Sequence, residues 1–167
     1  ADARTRDLLA SRGLGDVYKR QHMASSDSKF METSCGLVLI NYDAILLLQY
    51  PQGHWSFPKG HVEDGDDDHH VTASRELFEE TGISTLEIDS NWEYRTNYTF
   101  RKRGKKTTKQ VFWYIATTDE IDVELSEEHI SYIWMNYEEA ESMITFDQEK
   151  ELIRSAIIHM KKSGIVT

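Results

Sequence analysis

Apolar residues are concentrated in two short runs in the first third of the chain. Residues 34–40 and 44–49 are rich in Val, Ile and Leu, and residues 41–43 between them have turn character. We therefore predict a β-hairpin. Both prolines fall within residues 50–59, which are predicted to form a loop.

The rest of the chain alternates between strand and helix patterns. Strands are predicted over residues 86–100, 111–117 and 131–135, and helices over residues 69–81, 137–144 and 147–161. Gly82 follows the first of these helices, where a C-terminal stop is expected. In the last helix an apolar stripe is predicted to face the core, formed by Leu152, Ile153, Ala156, Ile157 and Met160. This order of elements predicts an α/β (α+β) fold in which a mixed sheet lies between helices.

Composition and charge narrow the class of protein. The 167 residues are enough for one domain, and the net charge of −10 argues against nonspecific binding to DNA or to an anionic membrane. No apolar run approaches the roughly 18 residues of a membrane span, and no signal-peptide pattern is present. The single cysteine, Cys35, excludes an intrachain disulfide and fits a reducing compartment, so we expect a cytoplasmic protein.

Residues 1–30 differ in composition from the rest of the chain. Arginine and lysine are mixed there with Gly and Ser, and no hydrophobic periodicity is sustained. We therefore expect residues 1–30 to be a non-native or disordered leader, and residues 31–167 to form a single domain. None of the motifs that carry chemistry lies in the leader.

Three glutamates on the predicted helix 69–81 share one face. Glu76, Glu79 and Glu80 are spaced i, i+3 and i+4, so their carboxylates are neighbours. In a partly buried cleft, two charges about 5 Å apart repel by roughly 3 kcal/mol at an effective dielectric of about 20. A hard divalent cation, Mg²⁺ or Mn²⁺, would compensate this repulsion and keep waters for a substrate phosphate. The alternative is a solvated acidic face.

Six basic residues fall within the nine positions 101–109 of this acidic chain. The segment contains Gly104 and lies between two predicted strands, so it is predicted to form a hairpin tip. Such a tip could be a solvated loop, or it could clamp phosphate groups.

The helix and its lead-in resemble the Nudix box, the sequence motif of the Nudix hydrolase family. Residues 75–83, RELFEETGI, match the second half of the motif at every position, and Gly60 supplies its first glycine. The middle departs from the motif, because Asp66 stands where the family has Glu. In addition, eight residues rather than seven separate Asp66 from Arg75.

A second register of the motif would put Asp67 at the Glu position and His61 at the Gly position. We prefer the register that begins at Gly60, because residues 60–65 then resemble the usual loop of the family. The extra residue is expected to be absorbed where the loop joins the helix, within residues 66–69.

Within the Nudix family, the chain resembles the asymmetric diadenosine tetraphosphate hydrolases. The resemblance lies in the first hairpin, in residues 54–63, in residues 97–98 with the lysines beyond them, and in residues 125–129. In the last segment Glu127 replaces a His of the group. The resemblance implies a Nudix-type α/β/α sandwich and a metal-dependent hydrolase. Such an enzyme cleaves a small-molecule nucleoside polyphosphate into a nucleoside triphosphate and a monophosphate.

The resemblance also implies roles for individual residues. The expected metal ligands are the Gly60 carbonyl, Glu76, Glu79, Glu80 and Glu128, and the catalytic carboxylates are expected to be Glu79, Glu80 and Glu128. Substrate is expected to contact His54, Lys59, Tyr98, Lys105, Lys106 and Lys109. Arg75 is expected to pair with Glu79, four residues on, and to fix the glutamate rotamers. Asp66 is expected to reach a metal only through water.

Other functions are compatible with the same residues. The basic segment 101–109 would also suit an RNA 5′-pyrophosphohydrolase or a diphosphoinositol polyphosphate phosphohydrolase. The departure at Asp66 would suit a noncatalytic module that binds nucleotides. His54 and Tyr98 could equally be packing residues. No membrane or DNA partner is expected.

Overall fold

The structure, a computed structural model, describes residues 30–167. The predicted leader lies outside the described residues except for Phe30, at which the first strand begins. The strands are β1 Phe30–Asn41, β2 Ala44–Gln49, β3 Trp55–Ser56, β4 Lys59–His61, β5 Glu87–Ile88, β6 Tyr94–Lys102, β7 Lys105–Thr117 and β8 Ser131–Asn136. The helices are α1 His69–Thr81, α2 Ala140–Met143 and α3 Asp147–Lys162.

All these strands belong to one mixed sheet built around β1. β1 pairs in parallel with β7 along its whole length except its last residue and pairs antiparallel with β2 and β4. β2 also pairs with β3 and β8, and β7 also pairs with β5 and β6, all antiparallel. The predicted mixed sheet is therefore confirmed, and its centre is the parallel pair of β1 and β7.

The hydrophobic core lies on both faces of the sheet, because successive residues of a strand point to opposite sides. On one face Val38 and Trp113 pack with the buried stripe of α3. On the other face Leu37 packs with Ala73 and Leu77 of α1. Helices thus cover both faces, which confirms the predicted α/β/α sandwich. None of the helices in the described part of the chain is long and apolar enough to cross a membrane.

Helix α1 has the predicted bounds because both of its ends are capped. The Asp68 side chain accepts a hydrogen bond from the Val71 amide at 2.9 Å, which satisfies one of the free N–H groups of the first turn. Gly82 ends the helix with φ at 79°, a left-handed conformation that glycine adopts without strain. The hairpin of β1 and β2 also forms as predicted, with Tyr42 and Asp43 as its turn.

Several predicted bounds of strands and helices are wrong, because pairing between distant segments of the chain determines them. The predicted loop 50–59 contains β3, whose two residues are too few to show an alternating pattern. The predicted strand 86–100 is divided into β5 and β6. The predicted helix 137–144 shortens to α2, because the Tyr137 amide donates to the Asp43 carbonyl of the first hairpin at 2.9 Å.

The basic hairpin tip is also shorter than predicted. Only Arg103 and Gly104 form the turn, whereas Arg101 and Lys102 belong to β6 and the three lysines that follow belong to β7. β7 extends this far because it pairs with β6 on one side and with β1 on the other. The pairing of β7 therefore determines the face of the sheet on which each of these lysines lies.

Candidate active site

Strand β4 passes so close to α1 that one position must be glycine. Gly60 pairs with Cys35 of β1, and its backbone faces the Glu76 side chain. A Cβ atom at Gly60 would lie 1.9 Å from Cδ of Glu76, far inside van der Waals contact. The absence of a side chain therefore lets the β4 backbone lie directly beside the glutamate face of α1.

Glu80 is the most deeply buried carboxylate on that face. Its side chain accepts a hydrogen bond from the Lys59 amide at 3.2 Å, and the residue is 4% exposed. Burial, followed by the nearby charge of Glu76, raises the pKa of Glu80 to about 9. Burial likewise raises the pKa of Glu76 to about 7, although Arg75 opposes the shift. The site therefore stabilises protons on its carboxylates, and a cation would stabilise their charged forms instead.

Arg75 links the glutamates of α1. Its Nη1 lies 3.0 Å from Oε2 of Glu76 and 3.2 Å from Oε2 of Glu79. Its Nη2 donates to the His61 carbonyl at 2.8 Å, which ties the helix to the end of β4. The ion pair between Arg75 and Glu79, four residues apart, is the one predicted from the sequence. The ion pair between Arg75 and Glu76 was not predicted.

Asp66 binds the other edge of the same guanidinium. Its carboxylate accepts from Nε of Arg75 at 3.1 Å and from Nη2 at 2.9 Å, a two-point pairing. It also accepts from the Thr72 hydroxyl at 2.8 Å and from the Glu63 amide at 2.9 Å. Asp66 thus fixes Arg75 rather than lying among the glutamates. Two residues, Asp67 and Asp68, separate Asp66 from the start of α1 at His69, and Asp68 caps the helix.

The oxygen donors of this region fit a hard divalent cation. Carboxylates and a backbone carbonyl are the ligand types that Mg²⁺ and Mn²⁺ take, and the Gly60 backbone lies directly beside the Glu76 carboxylate. Within residues 30–167, no three His, Cys, Asp or Glu side chains converge tightly enough to form a ready metal cage. Arg75 donates hydrogen bonds to the carboxylates of both Glu76 and Glu79.

Glu128 is brought to the glutamates by the loop before β8. The Ser126 amide donates to the Glu80 carbonyl at 3.0 Å, and the Glu124 amide donates to the Thr81 carbonyl at 2.8 Å, so this loop is attached to the end of α1. The loop closes a cleft of about 730 Å³. The cleft is lined by Tyr50, Lys59, Gly60, His61, Glu63, Glu76, Glu79, Glu80, Lys109, Ser126, Glu127 and Glu128.

Two lysines bring positive charge into this acidic cleft. Lys59 lies over the ring of Tyr50, 4.6 Å from its centroid. Lys109 is mostly buried, and burial together with the charge of Lys59 lowers the pKa of Lys109 to about 8. Lys105 and Lys106 are exposed near the hairpin turn and do not line the cleft. The sequence predicted that all three lysines contact the substrate. In the structure only Lys109 lines the cleft with the carboxylates.

His54 and Tyr98 lie beside the cleft rather than in its wall. The ring of His54 is stacked on Tyr50, with centroids 4.7 Å apart, and is 5.1 Å from the ring of Phe146. Tyr98 is 41% exposed and pairs with Lys109 across the β6–β7 ladder. Both residues can therefore reach a ligand that extends out of the cleft.

Sequence reasoning missed several residues around the cleft. Tyr50 stacks on His54 and donates its hydroxyl proton to the Phe57 carbonyl at 2.9 Å. His129 is buried, with Nε2 4.0 Å from Oε2 of Glu80. Burial, followed by the charge of Lys59, lowers the pKa of His129 to about 4. Glu63 also lines the cleft, and its place in segment 54–63, just before the helix, was a signal for it. Tyr50 and His129 come to lie beside the cleft only when the chain folds.

Comparisons with known proteins agree with this fold and site. The family model described as NUDIX domain matches residues 32–155, most of the chain. The chain therefore belongs to the Nudix family and is a pyrophosphohydrolase. Nudix hydrolases generally use divalent metal ions, which accords with the oxygen donors beside Gly60.

Relatives within the family are identical to this chain at about a third of the aligned positions. The asymmetrical bis(5′-nucleosyl)-tetraphosphatase of Rattus norvegicus is 34% identical over an alignment of 136 residues that covers 72% of this chain and 90% of the relative. The RNA pyrophosphohydrolase of Caulobacter vibrioides is 32% identical over an alignment of 127 residues that covers 66% of this chain and 73% of the relative. The structure of a Caenorhabditis elegans Ap4A hydrolase binary complex superposes with a TM-score of 0.60 at 29% identity, covering 77% of this chain and 98% of that one.

Proposed function

We propose that this enzyme hydrolyses dinucleoside tetraphosphates asymmetrically, giving a nucleoside triphosphate and a nucleoside monophosphate. The observation that carries the proposal is a single cleft in which the α1 carboxylates, Glu128, Lys59 and Lys109 meet. Acids and cations side by side suit a polyphosphate chain that needs both metal ligands and neutralising charge. The likeness to asymmetrical tetraphosphatases supports the choice of substrate.

The carboxylates have two tasks in this proposal. Gly60, through its carbonyl, and Glu76, Glu79, Glu80 and Glu128 would hold Mg²⁺ or Mn²⁺, which supplies a Lewis acid for phosphate oxygens when bound. Glu79, Glu80 and Glu128 provide the base that removes a proton from the attacking water. The oxygen of that water bonds to phosphorus while a bridging P–O bond breaks, and the leaving phosphate takes the bonding electrons. Arg75, fixed by Asp66, keeps Glu76 and Glu79 oriented.

The remaining residues bind the substrate. Lys59 and Lys109 neutralise nonbridging oxygens in the cleft, where a partly desolvated ammonium acts more strongly than one in water. Tyr98 offers a ring face for a nucleobase outside the cleft, and His54 borders the same opening. Lys105 and Lys106 contact only those parts of a substrate that extend past Lys109. The free buried thiol of Cys35 suits a reducing compartment such as the cytoplasm.

A product profile tests the proposed reaction. The enzyme is incubated with Mg²⁺ and, in separate reactions, with diadenosine tetraphosphate, 5′-triphosphorylated RNA and a diphosphoinositol polyphosphate. We expect kcat/KM to be highest for diadenosine tetraphosphate, with ATP and AMP in equal amounts. Two molecules of ADP, or faster turnover of either of the other substrates, would contradict the proposal. The same reactions in EDTA are the control for metal dependence.

The second candidate is an RNA 5′-pyrophosphohydrolase, favoured by the exposed basic hairpin. Arg101, Lys102, Arg103, Lys105 and Lys106 lie together outside the cleft, where a nucleic-acid chain could pass. The Caulobacter relative bears the name of such an enzyme. If RNA is the substrate, neutralising Lys105 and Lys106 together will raise KM for RNA at least tenfold and reduce its salt dependence. For a dinucleotide substrate the same change will have little effect.

A further inference from the structure

Glu128 lies at the centre of a tight turn in the loop before β8. Glu127 and Glu128 are the two middle residues of this turn, and both line the cleft. The outer residues close the turn, because the His129 amide donates to the Ser126 carbonyl at 3.2 Å. The contacts that fix this turn therefore also fix the place from which Glu128 reaches the cleft.

The side chain of His129 folds back across this turn onto Ser126. Nδ1 of His129 lies 3.1 Å from Oγ of Ser126. The same oxygen accepts a hydrogen bond from the Glu128 amide at 3.3 Å. The Ser126 hydroxyl thus links the His129 ring to the backbone of Glu128, and a rotation of the turn would break both contacts.

The His129 ring is buried against two other elements of the fold. Only 1% of its side chain is exposed. Its plane lies at 71° to the ring of Tyr50, which follows β2, and the two centroids are 4.5 Å apart. Its Nε2 lies 4.0 Å from Oε2 of Glu80 on α1, which is too long for a hydrogen bond. The ring therefore packs between the end of β2 and the glutamate face of α1, where a substrate cannot reach it.

We infer that His129 is a positioning residue that sets Glu128 against Glu80, so that both carboxylates serve one divalent cation. The ring packs on Tyr50 and Glu80, and its Nδ1 holds the turn of Glu128 through the Ser126 hydroxyl. Either tautomer of the imidazole can do this, because a hydroxyl donates to a bare nitrogen and accepts from an N–H group. The inference rests on the proposed function only in taking Glu80 and Glu128 as ligands of the cation.

Two substitutions of His129 test the contact with Ser126. His129→Phe keeps a ring beside Tyr50 but has no nitrogen for the Ser126 hydroxyl. His129→Asn has an amide that can donate or accept in the place of Nδ1. Titration calorimetry of the full chain with Mg²⁺ alone measures metal affinity without turnover.

Residues that hold a metal ligand in place change metal affinity or activity by roughly 10–100-fold when they are replaced. We therefore expect Mg²⁺ to bind His129→Phe roughly tenfold more weakly than the parent, and His129→Asn within about threefold of the parent. Ile130→Ala, an exposed change at the next position, is the control and should match the parent.

Kinetics with diadenosine tetraphosphate supply the second readout. We expect kcat of His129→Phe to fall roughly tenfold while KM stays within about threefold, because His129 does not contact the substrate. In Glu128→Gln, the same change at His129 should lower kcat by less than about twofold, since the carboxylate that it positions is already lost. A merely structural histidine would lower kcat by the same factor in both backgrounds.

Ser126→Ala removes the same link from its other side. It should weaken Mg²⁺ binding and lower kcat about as much as His129→Phe does. Circular dichroism monitors folding, and Ser126→Ala decides the matter if His129→Phe does not fold.

The outcomes separate this inference from the proposed function. If His129→Phe binds Mg²⁺ more weakly than the parent but no dinucleoside tetraphosphate is cleaved, the proposed function fails and His129 retains its role. Equal Mg²⁺ affinity of the parent, His129→Phe and Ser126→Ala overturns the inference. So does a parent that binds no Mg²⁺, a His129→Asn variant as weak as His129→Phe, or an equal loss of kcat in the two backgrounds.

Discussion

The environment of Glu80 in the folded protein disfavours the ionised form of its carboxyl group. Burial comes first and Glu76 second among the causes that raise the pKa of Glu80 from an ordinary 4.5 to about 9. A group whose pKa is higher in the folded state adds stability while it is protonated. For Glu80 that contribution is present below about pH 4.5 and is lost as the pH rises towards about 9.

The first prediction concerns the stability of the metal-free protein. Glu80→Gln keeps an acceptor for the Lys59 amide but cannot ionise, so we expect it to melt about 5 °C or more above the parent at pH 8.5 in EDTA. At pH 4.5 the two melting temperatures should nearly coincide. Thermal unfolding with and without Mg²⁺ provides the measurement. Mg²⁺ should stabilise the parent and not the variant; a variant that melts below the parent at pH 8.5 would contradict this account.

The second prediction concerns Lys109, whose pKa is lowered to about 8 by burial and by Lys59. As the pH rises through about 8, Lys109 loses its charge and attracts the polyphosphate less, so KM should increase. Lys109→Met should have a KM roughly tenfold higher that no longer changes between pH 7 and 9. Lys109→Arg should keep its charge and a flat profile over that range. Lys105→Met, which lies outside the cleft, should resemble the parent.

At the scale of elements, the loop from β4 to α1 acts as a brace for the glutamate face. Asp66 and Arg75 meet across this loop at 2.9 Å, and Arg75 in turn holds Glu76 and Glu79. The carboxylate of Asp66 is among the most buried in the loop, with 6% of its side chain exposed. A change at Asp66 should therefore affect both folding and catalysis.

The third prediction follows from this brace. Asp66→Asn turns an amide group towards Arg75 and removes one charge-assisted hydrogen bond, which should lower the free energy of unfolding by about 2 kcal/mol. We also expect kcat to fall severalfold, because Glu76 and Glu79 lose a fixed partner. Urea denaturation and steady-state kinetics measure the two effects. Asp64→Asn, an exposed change in the same loop, is the control. If the two variants have the same free energy of unfolding, the contacts of Asp66 with Arg75 do not stabilise the protein and this prediction is wrong.

Local sequence predicted those elements whose determinants are local. Asp68 and Gly82 define the ends of α1, and a spacing of three and four residues puts Glu76, Glu79 and Glu80 on one face. Sequence could not predict that Asp66 would bind Arg75, because that contact depends on the path of a loop. It also could not divide Lys109 from Lys105 and Lys106, since the division depends on the extension and register of β7.

Burial and stacking that depend on contacts between distant segments also could not be predicted from the sequence. Glu149 has the composition of an ordinary acid at a helix start, and only the docking of α3 on β6 buries it. Tyr50 follows β2 as a residue of the loop, and only the return of that loop stacks it on His54. The sequence therefore defined the chemistry of α1, and the tertiary fold defined what faces it.

At the scale of the whole molecule, the negative net charge opposes the approach of a polyanionic substrate. The chain carries −10 overall, yet its substrate is a polyanion by our proposal. Lys59 and Lys109 in the cleft, with the basic hairpin beyond it, give the approaching phosphate chain a local attraction.

The fourth prediction concerns the bounds of the domain. β1 begins at Phe30 and pairs with β7 from that residue onward, so a chain that starts at Phe30 retains every strand pair of residues 30–167. We expect deletion of residues 1–29 to leave kcat/KM within twofold and the melting temperature within about 2 °C of the full chain. Deletion of residues 1–36 removes half of the central strand and should abolish folding. A tenfold loss of activity in the shorter deletion would show that the leader belongs to the enzyme.

The central claim is that the carboxylates of α1 hold a divalent ion and activate water for cleavage of a phosphate chain. The measurement is Mg²⁺-dependent turnover of diadenosine tetraphosphate by the parent, Glu79→Gln, Glu80→Gln and the exposed control Glu87→Gln. We predict that kcat falls at least 100-fold in Glu79→Gln and Glu80→Gln and is unchanged in the control. Turnover that persists in EDTA, or that neither substitution reduces, would contradict the claim.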